Sequence, residues 1–380
     1  MYFMESFIRR FALLLASASL LCLFQSQSAV AGENENEGGK VYVLTNQSSD
    51  NTVVVFDRDE NGTLVRGQEV STQGRGSGAG LGSQGALILG GDGHFLFAVN
   101  AGSDELSVLA VSEDGVRFAG KAPSGGVHPI SVTVHEDIVY VLNAGGTPNV
   151  TGFSVSRSGK LLQIPNSTHT LAGAGAAAAE VKFSPDGELL LVTEKNTKLI
   201  DVFEVNDEGR IEHATSVPSN GATPFGFSFG PRGIVIVSEA AGGAPGASTL
   251  SSYRVNDGPS ENDTLETISK SVPDTQSAAC WVVITGRGKL TFTSNTGSGT
   301  VSSFRVSRRG QLSLSAAIAA DLGAGSGPTD MALSGDSRFL FVLNSGSGAV
   351  AGFRVRGDGK LTPVNEVAGL PLSVEGIAAR

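Results

Sequence analysis

Cysteine is nearly missing from this chain. Only Cys22 and Cys280 carry a thiol among 380 residues. Cys22 falls in an apolar N-terminal stretch, so the processed chain is expected to keep one thiol, with no internal disulfide and no zinc site built on thiolates. Large aromatics are scarce too, at 1 Trp and 4 Tyr, so the core has to come from Val, Leu, Ala and the 19 Phe. The 5 His are scattered, without the spacing of a metal cluster. Positive charge is in deficit: 27 Lys and Arg stand against 37 Asp and Glu, a formal net charge of -10. No basic run offsets it, which argues against nucleic acid as a partner and against anionic membrane surfaces. Beyond the N-terminal segment, no apolar run approaches the ~20 residues of a bilayer-spanning helix.

Met1–Ala31 has the three parts of a secretory leader. Arg9 and Arg10 supply charge, Phe11–Phe24 is the apolar run, and Ala29-Val30-Ala31 is a small-x-small cleavage site. Cleavage after Ala31 is expected, giving a secreted or periplasmic protein that does not insert into a membrane. Residues 32–39 read as a polar, disordered linker and 40–380 as one domain.

What the chain has in abundance is glycine, 51 residues of it, and repetition. Short apolar strands recur at Val41–Leu44, Phe95–Val99, Ile138–Leu142, Leu189–Val192, Ile234–Val237, Leu290–Thr293 and Phe339–Leu343. Their spacing, about fifty residues, is in the range of propeller blades. A polar residue ends each strand: Asn46, Asn100, Asn143, Glu194, Glu239, Asn295 and Asn344. An alternating strand follows, then a Gly-containing turn such as Glu113-Asp-Gly or Asn206-Asp-Glu-Gly, which supplies residues tolerant of positive φ. Most apolar strands are also preceded by a first strand and a turn, as in Val181-Lys-Phe-Ser-Pro-Asp-Gly. The first copy lacks that strand, and Leu370–Arg380 resembles a first strand with nothing after it. The two ends are therefore complementary. An all-β, seven-bladed β-propeller is expected, with four-stranded blades and a ring closed by pairing of the C-terminal strand with the N-terminal strands. The Gly-rich stretches Ser71–Ser83 and Leu171–Ala179 read as flexible connections between blades. Asn256–Thr264 reads as a lengthened turn.

Phe183-Ser-Pro-Asp-Gly, the run Ser334-Gly-Asp-Ser-Arg-Phe-Leu-Phe-Val-Leu-Asn and the ending Gly369-Leu-Pro-Leu-Ser-Val-Glu-Gly-Ile-Ala-Ala-Arg resemble the lactonase-type seven-bladed propellers. That family includes 6-phosphogluconolactonases and carboxymuconate-lactonising enzymes. The resemblance implies an active site at the mouth of the ring, near the starts of first strands and the ends of second strands. His128-Pro129 matches a histidine of such enzymes and Glu239 a glutamate, so these two are the candidate catalytic residues. Other positions depart from the pattern. Ala176–Ala179 stands where the family has His-x-His, and Ala222-Thr-Pro-Phe-Gly where it has Gly-Pro-Arg-His.

Lactone opening needs a base to activate water and positive charge to stabilise the developing oxyanion. The expected mouth instead gains carboxylates. Glu180, Asp330 and Glu375 sit at equivalent first-strand positions and Glu194 at a second-strand end, a candidate ligand-binding set that would repel anionic lactones. No cofactor and no metal are expected. The leading expectation is an exported, non-catalytic propeller that binds a small molecule or a protein at its mouth. The alternative is a hydrolase or cyclase of the 6-phosphogluconolactonase or carboxymuconate cyclase type acting on a non-anionic lactone.

Overall fold

The computed structural model describes residues 38–380 except 91, 174 and 256–264. The leader and its cleavage point, residues 32–37 of the linker, and the 256–264 turn lie outside the described residues. Every blade begins, as its sequence suggests, with strands too short to bury a core alone. Seven sheets result, and their inner edges form a ring.

The innermost strands of blades 2 to 7 are Leu87–Leu89, Val127–His135, Ala178–Phe183, Pro224–Gly230, Ala279–Ile284 and Pro328–Leu333, and that of blade 1 is Ile377–Ala379. Each lies beside those of the blades before and after it. Second strands such as Phe339–Asn344 and Ile234–Glu239 are buried along their whole length. Sandwiched between neighbouring blades, they read as continuous apolar runs rather than alternations. Each fully buried Leu, Val or Phe there contributes about 1.5–3 kcal/mol. The fourth strands face solvent on one side and alternate, as in Ile211–Pro218. Blade 3 departs from the pattern: its outer position is shared by Leu161–Gln163 and His169–Thr170.

The first blade is built from both ends of the domain. Ile377–Ala379 pairs antiparallel with Gly39–Leu44 in the register Val41–Ala379, Tyr42–Ala378 and Val43–Ile377. Backbone bonds extend the seam, from Leu44 N–H to Gly376 O at 3.1 Å and from Arg380 N–H to Lys40 O at 2.9 Å. The pairing expected from the complementary ends is present, over a shorter strand than Leu370–Arg380.

The turns between first and second strands are set by local chemistry. In Ser184-Pro-Asp-Gly the Gly187 N–H returns to Ser184 O at 3.0 Å, with Gly187 at φ +80°. A Cβ on Gly187 would stand 2.3 Å from the His135 ring, so glycine is required twice over.

Candidate functional site

The Gly-rich connection before blade 2 is not a loose linker. Its last residues, Leu81 to Gly85, cross the ring at the end where the first strands start. Leu81 N–H donates to Glu375 Oε1 in blade 1 at 2.9 Å, and Gly82 O accepts from Lys195 Nζ in blade 4 at 2.7 Å. Ser83 O accepts from the Trp281 indole N–H in blade 6 at 2.8 Å, while its hydroxyl donates to Ile130 O in blade 3. Gln84 N–H donates to Ala179 O. The Gln84 amide pairs with the backbone of Val282, giving Nε2 to the carbonyl at 2.9 Å and taking the N–H at 3.0 Å. Gly226 makes room for it, since a Cβ there would lie 2.1 Å from Gln84 Oε1. Ser83 and Gln84 are buried, so this strut seals the channel at the end the family resemblance marks as the mouth. Glycine is abundant here because a Cβ on Gly74 would stand 2.3 Å from the Asn100 side chain and one on Gly76 2.1 Å from the Asn46 backbone, while Gly78, Gly82 and Gly85 hold positive φ.

Below the strut lies a cavity of about 400 Å³ to which all seven blades contribute. Gln84 forms its floor. Val132, Thr133, Val283, Met331 and Ile377 line its walls, and His135, Pro185 and Ser228 stand at the far ends of the first strands. Exposure rises in that direction: Leu87 and Val132 are buried, Leu89, His135 and Ser228 are half-buried, and Pro185 is exposed. The cavity therefore opens on the face that carries the first-to-second-strand turns.

Glu180, Lys182 and Asp330 project into this space. A strand repeat of two residues puts Glu180 and Lys182 on the same side, and Lys182 Nζ meets Glu180 Oε1 at 2.6 Å. The other Glu180 oxygen accepts the Phe227 N–H at 2.5 Å. Burial raises the Glu180 pKa, opposed by Lys182 and by that N–H. Asp330, 2 % exposed, has the Met331 N–H on Oδ1 at 2.8 Å. Burial pushes it up to about 8, and the nearby Glu180 charge pushes the same way. Burial thus favours the protonated form of Asp330, which stands near the Lys182–Glu180 contact.

Glu375, also at a first-strand position, belongs to the strut rather than the cavity wall. One of its oxygens holds Leu81, while Oε2 is buried without a hydrogen-bond partner. Burial, with the Asp330 charge adding to it, raises its pKa to about 8. Lys195 stands over the Phe225 ring at 4.8 Å, and burial lowers its pKa.

The remaining candidates go elsewhere. Glu239 is fully buried inside blade 5, accepting from Gly221 N–H at 2.8 Å, from the Ser251 hydroxyl at 2.5 Å and from the Thr249 hydroxyl. Glu194 accepts from Gly173 N–H at 3.1 Å and from the Thr197 hydroxyl within blade 4. His128 sits half-buried on the rim with φ +57°, its backbone N–H donating to Asp104 Oδ1 at 2.7 Å. It is not among the described residues lining the cavity. Cys280 is buried, its thiol pushed up to about 12 by burial, and so it is unreactive. Among the described residues, no group of His, Cys, Asp and Glu is arranged to hold a metal ion.

Lys182 and Gln84 were not singled out from sequence. The spacing Glu180-x-Lys182 was a usable signal, because it places opposite charges on one side of a strand. Gln84 offered none, since its partner lies 198 residues away.

The comparisons agree with this architecture. No curated protein matches the chain. Among solved structures, a proposed 6-phosphogluconolactonase from Bacteroides uniformis superposes with a TM-score of 0.72 at 18% identity, covering 89% of this chain and 99% of that one. A periplasmic gluconolactonase from Pseudomonas aeruginosa gives 0.68 at 18% identity over 89% and 99%. A protein from Lactobacillus plantarum gives 0.72 at 17% identity over 90% and 99%. At such identities these likenesses speak for the fold. The model of the seven-bladed β-propeller lactonases matches residues 33–174, 149–256 and 247–377, spanning all seven blades. By the sequence that builds its ring as well as by the ring itself, this chain belongs to the seven-bladed β-propeller lactonase family.

Proposed function

We propose that the protein is a lactone hydrolase whose reacting groups lie in the central cavity. One observation carries this reading: Glu180, Lys182 and Asp330 share one solvent-reachable cavity, with Lys182 against Glu180 and burial favouring the protonated form of Asp330. Glu180 takes a proton from water as its oxygen attacks the lactone carbonyl. Lys182 stabilises the oxyanion that forms, the role left open by the missing family arginine. When the ring C–O bond breaks, Asp330 gives its proton to the departing oxygen, and Glu180 returns one to Asp330 to restore the starting state. The product is a hydroxy acid whose carboxylate is repelled by Glu180. The same carboxylates disfavour anionic lactones, so the substrate is neutral or cationic.

A panel of neutral, cationic and anionic lactones tests this with the mature chain. Turnover of a neutral or cationic member, lost in Lys182→Met and in Asp330→Asn, supports it. Turnover that survives both substitutions, or a flat panel, overturns it. The leader supports export, so we place the enzyme outside the cytoplasm. A second reading, a non-catalytic binding module, is favoured by Ala176–Ala179 and Ala222-Thr-Pro-Phe-Gly replacing the family's His and Arg motifs. A flat panel would favour it.

A further inference from the structure

We infer that substrate enters and leaves by the face carrying the first-to-second-strand turns, and that Gln84 in the Leu81–Gly85 strut limits how long a substrate can be. This rests on the hydrolase reading for its substrate but on the strut alone for its direction. The strut is tied to blades 1, 3, 4 and 6 through Glu375, Ile130, Lys195, Ala179, Trp281 and Val282. Opening it would break all these bonds together and leave buried donors such as the Trp281 and Val282 N–H groups unpaired, which is costly in a dry interior. The closed end is therefore a fixed wall. Lys182, with a side chain 32% exposed, is reached by solvent only from the other side, past His135, Pro185 and Ser228. A lactone placed with its carbonyl at Lys182 projects its substituent either back toward the opening, where length is free, or down onto the Gln84 amide, where it is not.

Thiol labelling of a chain starting at Gly32 separates the two faces, because Cys280, the thiol among the described residues, is buried. Ser228→Cys puts a reactive group at the open end. Ala79→Cys puts one on the exposed tip of the connection above the strut, outside the cavity. Each variant is coupled to a bulky maleimide and compared with its own unlabelled form. Two signals are read: turnover of a small neutral lactone, and acetylation of Lys182 by a small amine-reactive ester, followed by peptide mass spectrometry. The label at position 228 is expected to lower both at least tenfold, and the label at 79 to leave both within twofold. The reverse pattern, or equal protection from both labels, overturns the entry face. If no lactone is turned over but the Lys182 acetylation pattern holds, the hydrolase reading fails and the entry face stands. For the length limit, Gln84→Ala and Gln84→Asn are each expected to raise turnover of long-chain over short-chain lactones at least fivefold. An unchanged ratio in a folded variant removes Gln84 from that role.

Discussion

Glu239 and Asp330 are both nearly inaccessible, at 0% and 2%. From sequence, Glu239 is a candidate catalytic residue at a second-strand end and Asp330 a candidate ligand-binding residue at a first-strand position. Their surroundings separate them. Glu239 is met by a backbone N–H and two hydroxyls, all donors and all from its own blade. Its lone pairs are spent holding the Asn220–Thr223 approach to the next strand, as a structural anion. Asp330 has the backbone N–H groups of Met331 and Ile377 near it but no hydroxyl donor, a like charge nearby and open space in front of it. What decides whether a buried carboxylate is scaffold or acid is the number of donors aimed at it, not its depth.

The sharpest way to break that contrast is to remove charge from each side in turn. Lys182→Met is expected to cut turnover about 10²–10³-fold, the usual cost of losing one oxyanion-stabilising group, while a thermal melt still shows one cooperative transition. Glu239→Ala should do the opposite. Stranding three donors should cost about 2–3 kcal/mol of stability by urea denaturation, with turnover per folded molecule changed less than twofold. Equal damage to activity from both substitutions would dissolve the distinction.

Titration sharpens it further. Asp330 is raised from 3.8 to about 8 and Glu375 from 4.5 to about 8. Between those values Asp330 and Glu375 each keep a proton in the folded chain that they release on unfolding. The stability they contribute is fully present below about pH 4 and is lost as pH rises through about 8. Asp330→Asn removes one of the two, so the fall in stability between pH 5 and 8 should become shallower by up to about 1.4 kcal/mol per pH unit. Urea titrations at several pH values measure this, and an unchanged slope would mean Asp330 is ionised in the fold. On the hydrolase proposal, turnover by the intact chain should decline above about pH 8 as Asp330 loses its proton. The smallest effect belongs to a surface pair such as Arg210–Glu208, both exposed. Arg210→Ala should change stability by less than about 0.5 kcal/mol.

The ring was legible in the sequence because its cause is local and repeated: an apolar strand, a polar stop and a glycine turn, seven times over. Closure was legible because a fragment was missing at one end and spare at the other. The strut was not. A run such as Ser77-Gly-Ala-Gly-Leu-Gly-Ser carries little side-chain information, and its path is fixed by side chains and backbone groups of residues far along the chain, such as Glu375, Lys195, Trp281 and Ile130. For the same reason Glu180, Asp330 and Glu375 could be grouped from sequence, but Glu194 and Glu239 could not be set apart from them. The donors that satisfy Glu194 and Glu239 come from turns and neighbouring strands whose geometry exists only once the blades form.

Ile377–Ala379, the strip that completes blade 1, follows every other blade in the sequence. Until it emerges during synthesis, Gly39–Leu44 presents an unpaired edge, and blade 1 has no inner wall to set against blades 2 and 7. Glu375 and its hold on Leu81 arrive with the same strip. The cavity's floor is thus secured only when its wall is finished, and a product broken off before Glu375 would lack both.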